Sequence, residues 1–303
     1  MNPAIFLQRA ACAIAAALAA GAIPLSSPTA RAQAAERQLG QVRMGIDVMR
    51  ADGTEARSLA VVGDRFHHGS PAWSPDGKQL AFDAYRSGFQ DPAVFLCDAD
   101  GSNLRQLAPG AYPRWSPDGT QIVLYSGLAS GANPEISILD VTGSNRRRLT
   151  EGTFPDWSPD GKKIVFGRSG DDRGIWTIDA DGSGLRQLAS TEGDVLAPVW
   201  SPDGKRIAFS QAKGGDSSID LIGSEGGAEQ QLTTGDGHDF FANWSPDGKR
   251  IAFARYDREL READVDVIDA AGSNLKALTS APGYQIDPAF SPDGRWIAYG
   301  SER

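Results

Sequence analysis

The stretch Trp73-Ser74-Pro75-Asp76-Gly77 recurs along the chain and decides its fold. Further copies of WSPDG, or of the variant FSPDG, begin at Trp115, Trp157, Trp200, Trp244 and Phe290. Successive copies start 42 to 46 residues apart, a period typical of solenoids, propellers and other repeat arrays. Proline favours the first corner of a β-turn, aspartate can bond the local backbone, and glycine accepts a positive φ. The motif is therefore predicted to be a tight turn that is used six times.

Each copy of the motif is followed by a run of alternating apolar residues, such as Leu80 and Phe82 after the first copy. Alternation with a period of two predicts a strand, so each motif joins a hairpin whose first strand ends at the Trp or Phe. A second alternating run and a second glycine turn follow, as in VFLCDADGSNLRQL from Val94. Four short strands per repeat predict a propeller blade. The chain is therefore predicted to be all-β, a six-bladed β-propeller with four-stranded blades.

The two ends of the chain each carry half of a repeat. IDVMRADGTEARSLA from Ile46 has the pattern of a third and a fourth strand, whereas the last repeat stops at Arg303 after two strands. An open ring would leave exposed sheet edges, which proteins avoid. We expect C-terminal inner strands and N-terminal outer strands to complete one blade and close the ring.

The repeat as a whole resembles a known family. The combination of WSPDG, a K-x-I-A-F run such as KRIAF from Lys205, a strand that ends in Asp, and a DGSN-L-x-x-L-T turn resembles the TolB-type β-propeller repeat. The resemblance covers Gly45 to Arg303 and implies the propeller alone. TolB itself carries an additional α/β domain before its propeller, and we expect that this chain has no room for one. Prolyl oligopeptidases share the repeat, but their G-x-S-x-G nucleophile motif is absent here.

The first 34 residues are predicted to be a secretory signal peptide. Arg9 precedes an apolar run from Ala10 to Ile23, and small residues offer cleavage after Ala32 or Ala34. The run is shorter than the roughly 20 residues of a membrane span. We expect residues 1–34 to be removed, residues 35–44 to form a short lead and residues 45–303 to form the propeller. The product is expected to be a periplasmic or secreted monomer without membrane insertion.

Charge and cysteine content restrict the partners and the means of stabilisation. The formal net charge is −9, and it becomes about −11 when Arg9 and Arg31 leave with the signal peptide. An acidic surface disfavours nucleic acid and anionic lipid as partners. Cys97 would be the one remaining cysteine, which excludes an internal disulfide, and we expect it to be a small buried residue.

Function is expected in the connections that precede the inner strands, because these differ between repeats while the turns do not. All three histidines are expected to fall in these connections. The candidate partner-binding residues are His67, His68, Tyr112, Glu151, Phe154, Asp194, His238, Asp239, Phe240 and Tyr284. Their aromatic rings either anchor a partner or pack at the top of the blades. Arg114 and Asp156, at matching positions of adjacent repeats, are expected to form an inter-blade ion pair.

Two classes of function remain open. The first is a non-catalytic recognition scaffold, TolB-like, that binds a protein or peptide of the cell envelope at the channel mouth. The second is a periplasmic carbohydrate-active lyase or hydrolase that uses the histidine-bearing loops, with or without a metal. Histidine and carboxylate are ordinary zinc ligands, but sheets about 10 Å apart place next-nearest blades up to about 17 Å apart. No catalytic residue, metal ligand or cofactor is assigned, since no nucleophile–base or phosphate-binding motif occurs.

Overall fold

The computed structural model describes residues 43–60, 62–63, 67–86, 90–127, 134–213, 216–235, 237–258 and 260–303. The predicted signal peptide, its cleavage site and most of the predicted lead lie outside these residues. No helix among the described residues is both long enough and apolar enough to span a membrane.

The strands of the described residues group into six blades of four. The first two strands are β1 (Met44–Arg50) and β2 (Arg57–Ala60). Blade 1 contains β3 (His67–Trp73), β4 (Gln79–Arg86), β5 (Gln90–Asp98) and β6 (Arg105–Pro109), and blade 2 contains β7 (Ala111–Trp115), β8 (Gln121–Ser126), β9 (Glu135–Asp140) and β10 (Arg147–Glu151). Blade 3 contains β11 (Thr153–Trp157), β12 (Lys163–Arg168), β13 (Gly174–Asp179) and β14 (Arg186–Ser190), with a short 3₁₀ turn at Gly170–Asp172. Blade 4 contains β15 (Val195–Trp200), β16 (Arg206–Lys213), β17 (Asp216–Gly223) and β18 (Gln230–Gln231), and blade 5 contains β19 (His238–Trp244), β20 (Arg250–Tyr256), β21 (Ala263–Asp269) and β22 (Lys276–Ala277). The last two strands are β23 (Gln285–Phe290) and β24 (Trp296–Glu302).

The blades form a closed ring. Consecutive strands within a blade pair antiparallel, and the first strand of each blade contacts the first strand of the next. β23 contacts both β19 and β3, which completes the circle. One parallel bridge, between Ser217 and His238, joins blades 4 and 5 into a continuous sheet. The predicted all-β propeller of four-stranded blades is confirmed.

Blade 6 is built from both ends of the chain. Its strand order is β2-β1-β24-β23, and β1 pairs with β24 from Met44 opposite Glu302 to Arg50 opposite Trp296. The backbone N–H of Arg303 donates to the carbonyl of Arg43 at 2.8 Å. The Arg303 Nη2 lies 2.6 Å from Asp47 Oδ1. The predicted closure, with inner strands from the C-terminus and outer strands from the N-terminus, is confirmed.

The WSPDG motifs are turns with a shared set of hydrogen bonds. In the first copy the Ser74 hydroxyl donates to Asp76 Oδ1 at 2.7 Å and accepts from the Gln79 N–H at 2.9 Å. Asp76 Oδ1 also accepts from the Lys78 N–H at 3.1 Å. The other five copies repeat the same three bonds. Hydrogen bonds from Ser74 and Lys78 hold the pKa of Asp76 below its ordinary value, so the motif aspartate is engaged in the turn.

The core lies in the seams, the interfaces between adjacent blades. Between blades 4 and 5, for example, Ile219 and Leu221 pack with Trp244 and Phe253. The motif tryptophans also reach across seams, since Trp73 Nε1 donates to the carbonyl of Ala289 in blade 6 at 3.1 Å. Cys97 is buried as expected, and burial raises the pKa of its thiol to about 12.

Candidate functional site

Every inner strand carries an irregularity in register near its centre. At this bulge the residue three positions before the motif Trp or Phe has a φ between 47° and 61°. These bulge residues are Ser70, Tyr112, Phe154, Ala197, Phe241 and Asp287. None is glycine, although the left-handed region costs other residues about 1–2 kcal/mol. The backbone conformation is therefore shared by all six blades, whereas the side chain at the bulge differs.

Three bulge residues are held by a side chain of a neighbouring blade. Asp287 Oδ2 accepts from the Ser70 N–H at 3.0 Å, and Asp83 Oδ2 accepts from the Tyr112 N–H at 2.8 Å. The Ser210 hydroxyl accepts from the Phe241 N–H at 3.1 Å. These bonds link blade 6 to blade 1, blade 1 to blade 2 and blade 4 to blade 5 at the inner strands.

Two of these acceptors, Asp83 and Asp287, form the centre of a buried charged cluster. They are 1% and 6% exposed, and a side chain added at Gly69 would meet Asp287 Oδ2 at 2.8 Å and Asp83 Oδ1 at 3.5 Å. The Oδ1 atoms of both aspartates have no hydrogen-bond partner among the described residues. The pKa of Asp287 is raised to about 7, mainly by burial and in smaller part by the charge of Asp83. The pKa of Asp83 is likewise raised by burial.

Arg114 provides a positive charge beside these carboxylates. Its guanidinium lies 3.9 Å from the centre of the Tyr112 ring and donates to the carbonyls of Pro113 at 2.9 Å and Ser70 at 3.4 Å. Its charge lowers the pKa of Asp83, of Asp287 and of half-buried Asp156, although burial still raises the pKa of Asp156 to about 6. We name Asp83, Arg114, Asp156 and Asp287 the axial cluster.

The prediction of a direct ion pair between Arg114 and Asp156 is wrong. Asp156 Oδ2 accepts from the Trp200 N–H of blade 4 at 2.9 Å, whereas Arg114 bonds to the backbone of blades 1 and 2. Asn243, at the matching position of blade 5, accepts from the Phe290 N–H at 2.9 Å in the same way. Asp156 and Asn243 thus both bond the backbone of the next blade, and the Asp156 carboxylate makes no direct contact with Arg114 among the described residues.

The predicted aromatic residues are buried together. Tyr112, Phe154, Phe240 and Tyr284 belong to one apolar cluster. The rings of Tyr112 and Phe154 meet edge to face at 5.1 Å, and the Tyr284 hydroxyl donates to the carbonyl of Leu260 at 2.8 Å. These rings therefore pack against other buried apolar residues. Their role in binding a partner stays a prediction.

The histidines do not lie in open loops. His67 and His238 are the first residues of β3 and β19, and both are buried, as is His68. His68 Nε2 accepts from the Val62 N–H at 2.7 Å. The His238 ring stacks on Phe240 with 5° between the planes, and burial lowers the pKa of His238.

Two of the connections before the inner strands consist of a single residue. Blades 1 and 2 are linked by Gly110 alone, and blades 2 and 3 by Gly152 alone. These glycines have φ values of 143° and 152°, a region that residues with a Cβ rarely adopt. The sequence had placed the candidate histidines in loops because it does not mark where an inner strand begins.

The predicted acidic residues are spread around the ring. Glu151, the last residue of β10, is exposed, and Asp194 Oδ1 lies 3.1 Å from Arg173 Nε. Asp239 is buried and receives two bonds from Arg255, at 2.8 and 2.9 Å. Among the residues that the structure describes, no three His, Cys, Asp or Glu side chains are grouped in a way that suits a metal ion.

Sequence reasoning missed four charged residues near the predicted ones: Asp83, Asp287, Arg255 and Asp266. A comparison of more repeat positions would have pointed to Asp83 and Asp287, because each is a carboxylate at a position that is neutral in the other repeats. Ten residues after the motif Trp or Phe, Asp83 stands where the other repeats have Tyr125, Gly167, Ser210, Ala254 and Gly300. Asp287 is likewise the one carboxylate among the six bulge residues.

These features define a β-propeller whose blades share one turn motif and differ at their inner strands. The family model of the TolB beta propeller domain matches residues 29–189 and 175–303, and the chain belongs to this family. No curated protein matches the chain by sequence.

Solved structures show the same fold at low sequence identity. A putative TolB from Agrobacterium tumefaciens is 23% identical with a TM-score of 0.74, over 86% of this chain and 99% of that one. TolB from Acinetobacter baumannii is 21% identical with a TM-score of 0.67, over 89% of this chain and 74% of that one. A chain of a nidogen/laminin complex is 14% identical with a TM-score of 0.60, over 76% of this chain and 92% of that one.

Proposed function

We propose that this chain is an exported, monomeric and non-catalytic recognition scaffold that binds a protein or peptide segment at the propeller axis. The binding face is the one that carries the connections before the inner strands. Membership of the TolB propeller family supports a scaffold of this kind. The signal-peptide pattern of residues 1–34 supports export to the periplasm or the cell exterior.

The observation that carries the proposal is the contrast between the turns that follow the inner strands and the bulges within those strands. At one end, six turns repeat the same hydrogen bonds. At the bulges, the same backbone presents a hydroxyl, a methyl, three aromatic rings and a carboxylate. A scaffold needs uniform turns, whereas recognition needs different side chains around one place.

The axial cluster favours a partner with a basic group. It combines three carboxylates, Asp83, Asp156 and Asp287, with the single guanidinium of Arg114. Burial raises the pKa of all three carboxylates. The nearby hydrogen bonds and the charge of Arg114 therefore do not make up for the hydration that the charged carboxylates lose. A lysine, an arginine or an amino terminus at the axis supplies the missing positive charge. The net charge of about −11 that remains without the signal peptide attracts such a segment from a distance.

Peptide binding to immobilised residues 35–303 tests the proposal. Peptides with a central lysine or arginine are expected to bind in a salt-sensitive manner, while matched peptides with glutamate are not. Asp156→Asn and Asp287→Asn keep a hydrogen-bond acceptor but remove a charge, so each should weaken binding by about 10-fold, or ~1.4 kcal/mol. Asp100→Asn, the same change in an exposed turn, should leave binding unaltered.

Equal binding of basic and acidic peptides would contradict the proposal, as would an equal loss in the Asp100→Asn control. Melting temperatures of all three variants establish that each is folded. The alternative, a carbohydrate-active lyase or hydrolase at the histidines, is favoured by no contact or cluster among the described residues.

A further inference from the structure

A cavity of about 290 Å³ lies in the seam between blades 4 and 5, beside the bridge that joins them. We name it the seam cavity. Its lining includes Asp216, Ser217 and Ser218 from β17, Gln231 from β18, and Asp239 and Arg255 from β19 and β20. None of its lining residues belongs to the axial cluster, and the seam cavity is independent of the proposed function.

The next seam along the chain shows why this one is open. In that seam the side-chain amide nitrogen of Gln285, assigned from its hydrogen bonds, lies 3.2 Å from Asp264 Oδ1 and so links blade 6 to blade 5. The counterparts of Gln285 and Asp264 in the seam cavity are Asp239 and Ser218. Asp239 bonds to Arg255 instead, and the hydroxyl of Ser218 donates to Asp220. Among the described residues, no side-chain hydrogen bond joins Ser218 and Asp239 across the seam, and a cavity remains.

The charges that line the seam cavity are already paired. Arg255 Nη1 lies 3.4 Å from Asp266, so the guanidinium links Asp266 with Asp239. Asp216 Oδ1 lies 3.9 Å from Arg258 Nη2. Because each described charge at the cavity has an opposite neighbour, a charged ligand gains little there.

The groups that still need a partner are neutral. Ser217 is 6% exposed, and its hydroxyl has no hydrogen-bond partner among the described residues. Buried hydroxyls are nearly always bonded, so an unbonded one in a cavity wall indicates a ligand group or water. The carbonyl oxygen of Gln231 and the hydroxyl of Thr234 add acceptors and a donor to the same lining.

We infer that the seam cavity binds a neutral, hydroxyl-rich small molecule of monosaccharide size. A volume of 290 Å³ equals about ten water molecules at liquid density, which suits a six-carbon ring with its hydroxyl groups. Sugar hydroxyls donate to the Asp239 carboxylate and accept from the Ser217 hydroxyl, in place of the amide–carboxylate contact of the next seam. The ligand is held without covalent chemistry.

Calorimetric titration of residues 35–303 tests this site with a panel of D-glucose, D-galactose, D-mannose and myo-inositol. At least one neutral compound is expected to bind with a Kd of about 1 mM or tighter. Ser217→Ala should weaken that binding by about 5-fold, because it removes the unpaired hydroxyl. The variant should fold, since Ala263 occupies the matching position of blade 5 and is also buried. Ser301→Ala, which removes a buried hydroxyl from blade 6, is the matched control and should bind normally.

A second variant is designed to close the cavity with the residues that occupy the next seam. Ser218→Asp, Asp239→Gln and Arg255→Ser together transplant the residues of the next seam, and sugar binding should be lost while cooperative unfolding is retained. Methyl glycosides, D-glucosamine and D-glucuronate are then added to the panel. The methyl glycosides distinguish a free sugar from the end of a polysaccharide, and the other two sugars carry a charge. No saturable binding by any neutral compound, binding by D-glucosamine or D-glucuronate alone, or undiminished binding by Ser217→Ala would each overturn the inference. Peptide binding at the axis is unaffected by any of these outcomes.

Discussion

Asp287 occupies a position at which the other five blades have a serine, an alanine or an aromatic ring. One of its oxygens accepts from the Ser70 N–H, and the other has no partner among the described residues. A carboxylate thus occupies a bulge position at which neutral residues adopt the same backbone conformation in the other five blades. Such a residue lowers stability at neutral pH and is a candidate for function for that reason.

Asp287→Asn should change how stability depends on pH. The folded-state pKa of about 7 lies above the ordinary value near 3.9, so the folded protein binds this proton more tightly than the unfolded chain does. The resulting stabilisation is complete below about pH 4 and is lost as the pH rises through about 7. From pH 5 to pH 8 the natural protein should therefore lose about 2.5 kcal/mol relative to the variant.

Urea unfolding at a series of pH values measures this difference. Asp100→Asn serves as the control, because the Asp100 carboxylate is exposed and hydrogen bonds from Ser102 lower its pKa. A difference between the natural protein and Asp287→Asn that does not vary with pH would refute the buried, proton-binding carboxylate.

The turn and the bulge are the two elements that every blade repeats. The turn is stabilised by its own side chains, and the bulge is imposed by the blade around it. Ser158, in the third motif, accepts from the Lys163 N–H at 2.9 Å and donates to Asp160 at 2.7 Å. Ala197, at the fourth bulge, has a φ of 47° and no side-chain hydrogen bond with which to hold it.

Ser158→Ala should destabilise the protein by about 1–2 kcal/mol, because the half-buried Lys163 N–H loses its acceptor. Ser183→Ala removes a hydroxyl that donates to Asp181 at 2.7 Å in an exposed turn, and it should cost less than about 0.5 kcal/mol. Urea midpoints of the two variants give the comparison. Equal midpoints would mean that the motif serine adds nothing beyond an ordinary turn.

Two buried alanines test the backbone strain at the bulge. Ala197→Gly should leave stability unchanged or raise it by about 0.5–1 kcal/mol, because glycine adopts a positive φ without strain. Ala208, in β16, is equally buried and pairs regularly with Leu221, so Ala208→Gly should cost about 1–2 kcal/mol. Equal losses in thermal or urea unfolding would show that the bulge is unstrained.

Ring closure is a property of the whole molecule. β1 and β2 supply the outer half of blade 6, so each end of the chain is needed for the strands of the other. Deletion of residues 43–60 should expose β24 as a long edge and cause cooperative loss of folding or aggregation. Size-exclusion chromatography and thermal unfolding measure both effects.

A circular permutant provides the matched control for this deletion. Since the Arg303 N–H bonds to the Arg43 carbonyl, a short linker can join residues 303 and 43, with new termini between Ala60 and His67. This permutant should fold cooperatively with a melting temperature at or above that of the natural chain, because it retains every strand. A monomeric, fully folded protein without residues 43–60 would refute closure by the two ends.

The sequence by itself determined the repeat, the turns, the strand pattern and the closure of blade 6. Turn chemistry in WSPDG and alternation such as that of Ile164 and Phe166 act over a few residues, so a local pattern is sufficient to predict them. The half repeats at the two ends predicted the pairing of β1 with β24, because an unpaired edge has no stable alternative.

Only the tertiary structure decided which of the inner residues are exposed and which groups they meet. The rings of Phe240 and Tyr284 are buried because residues of neighbouring blades cover them. Arg114 and Asp156 do not pair directly because the Asp156 carboxylate accepts a hydrogen bond from the Trp200 N–H instead. Burial and pairing depend on what another blade places opposite a side chain, often some 40 or more residues away. The charged cluster of Asp83 and Asp287 exists because strands of blade 1 and blade 6 meet there, 204 positions apart along the chain.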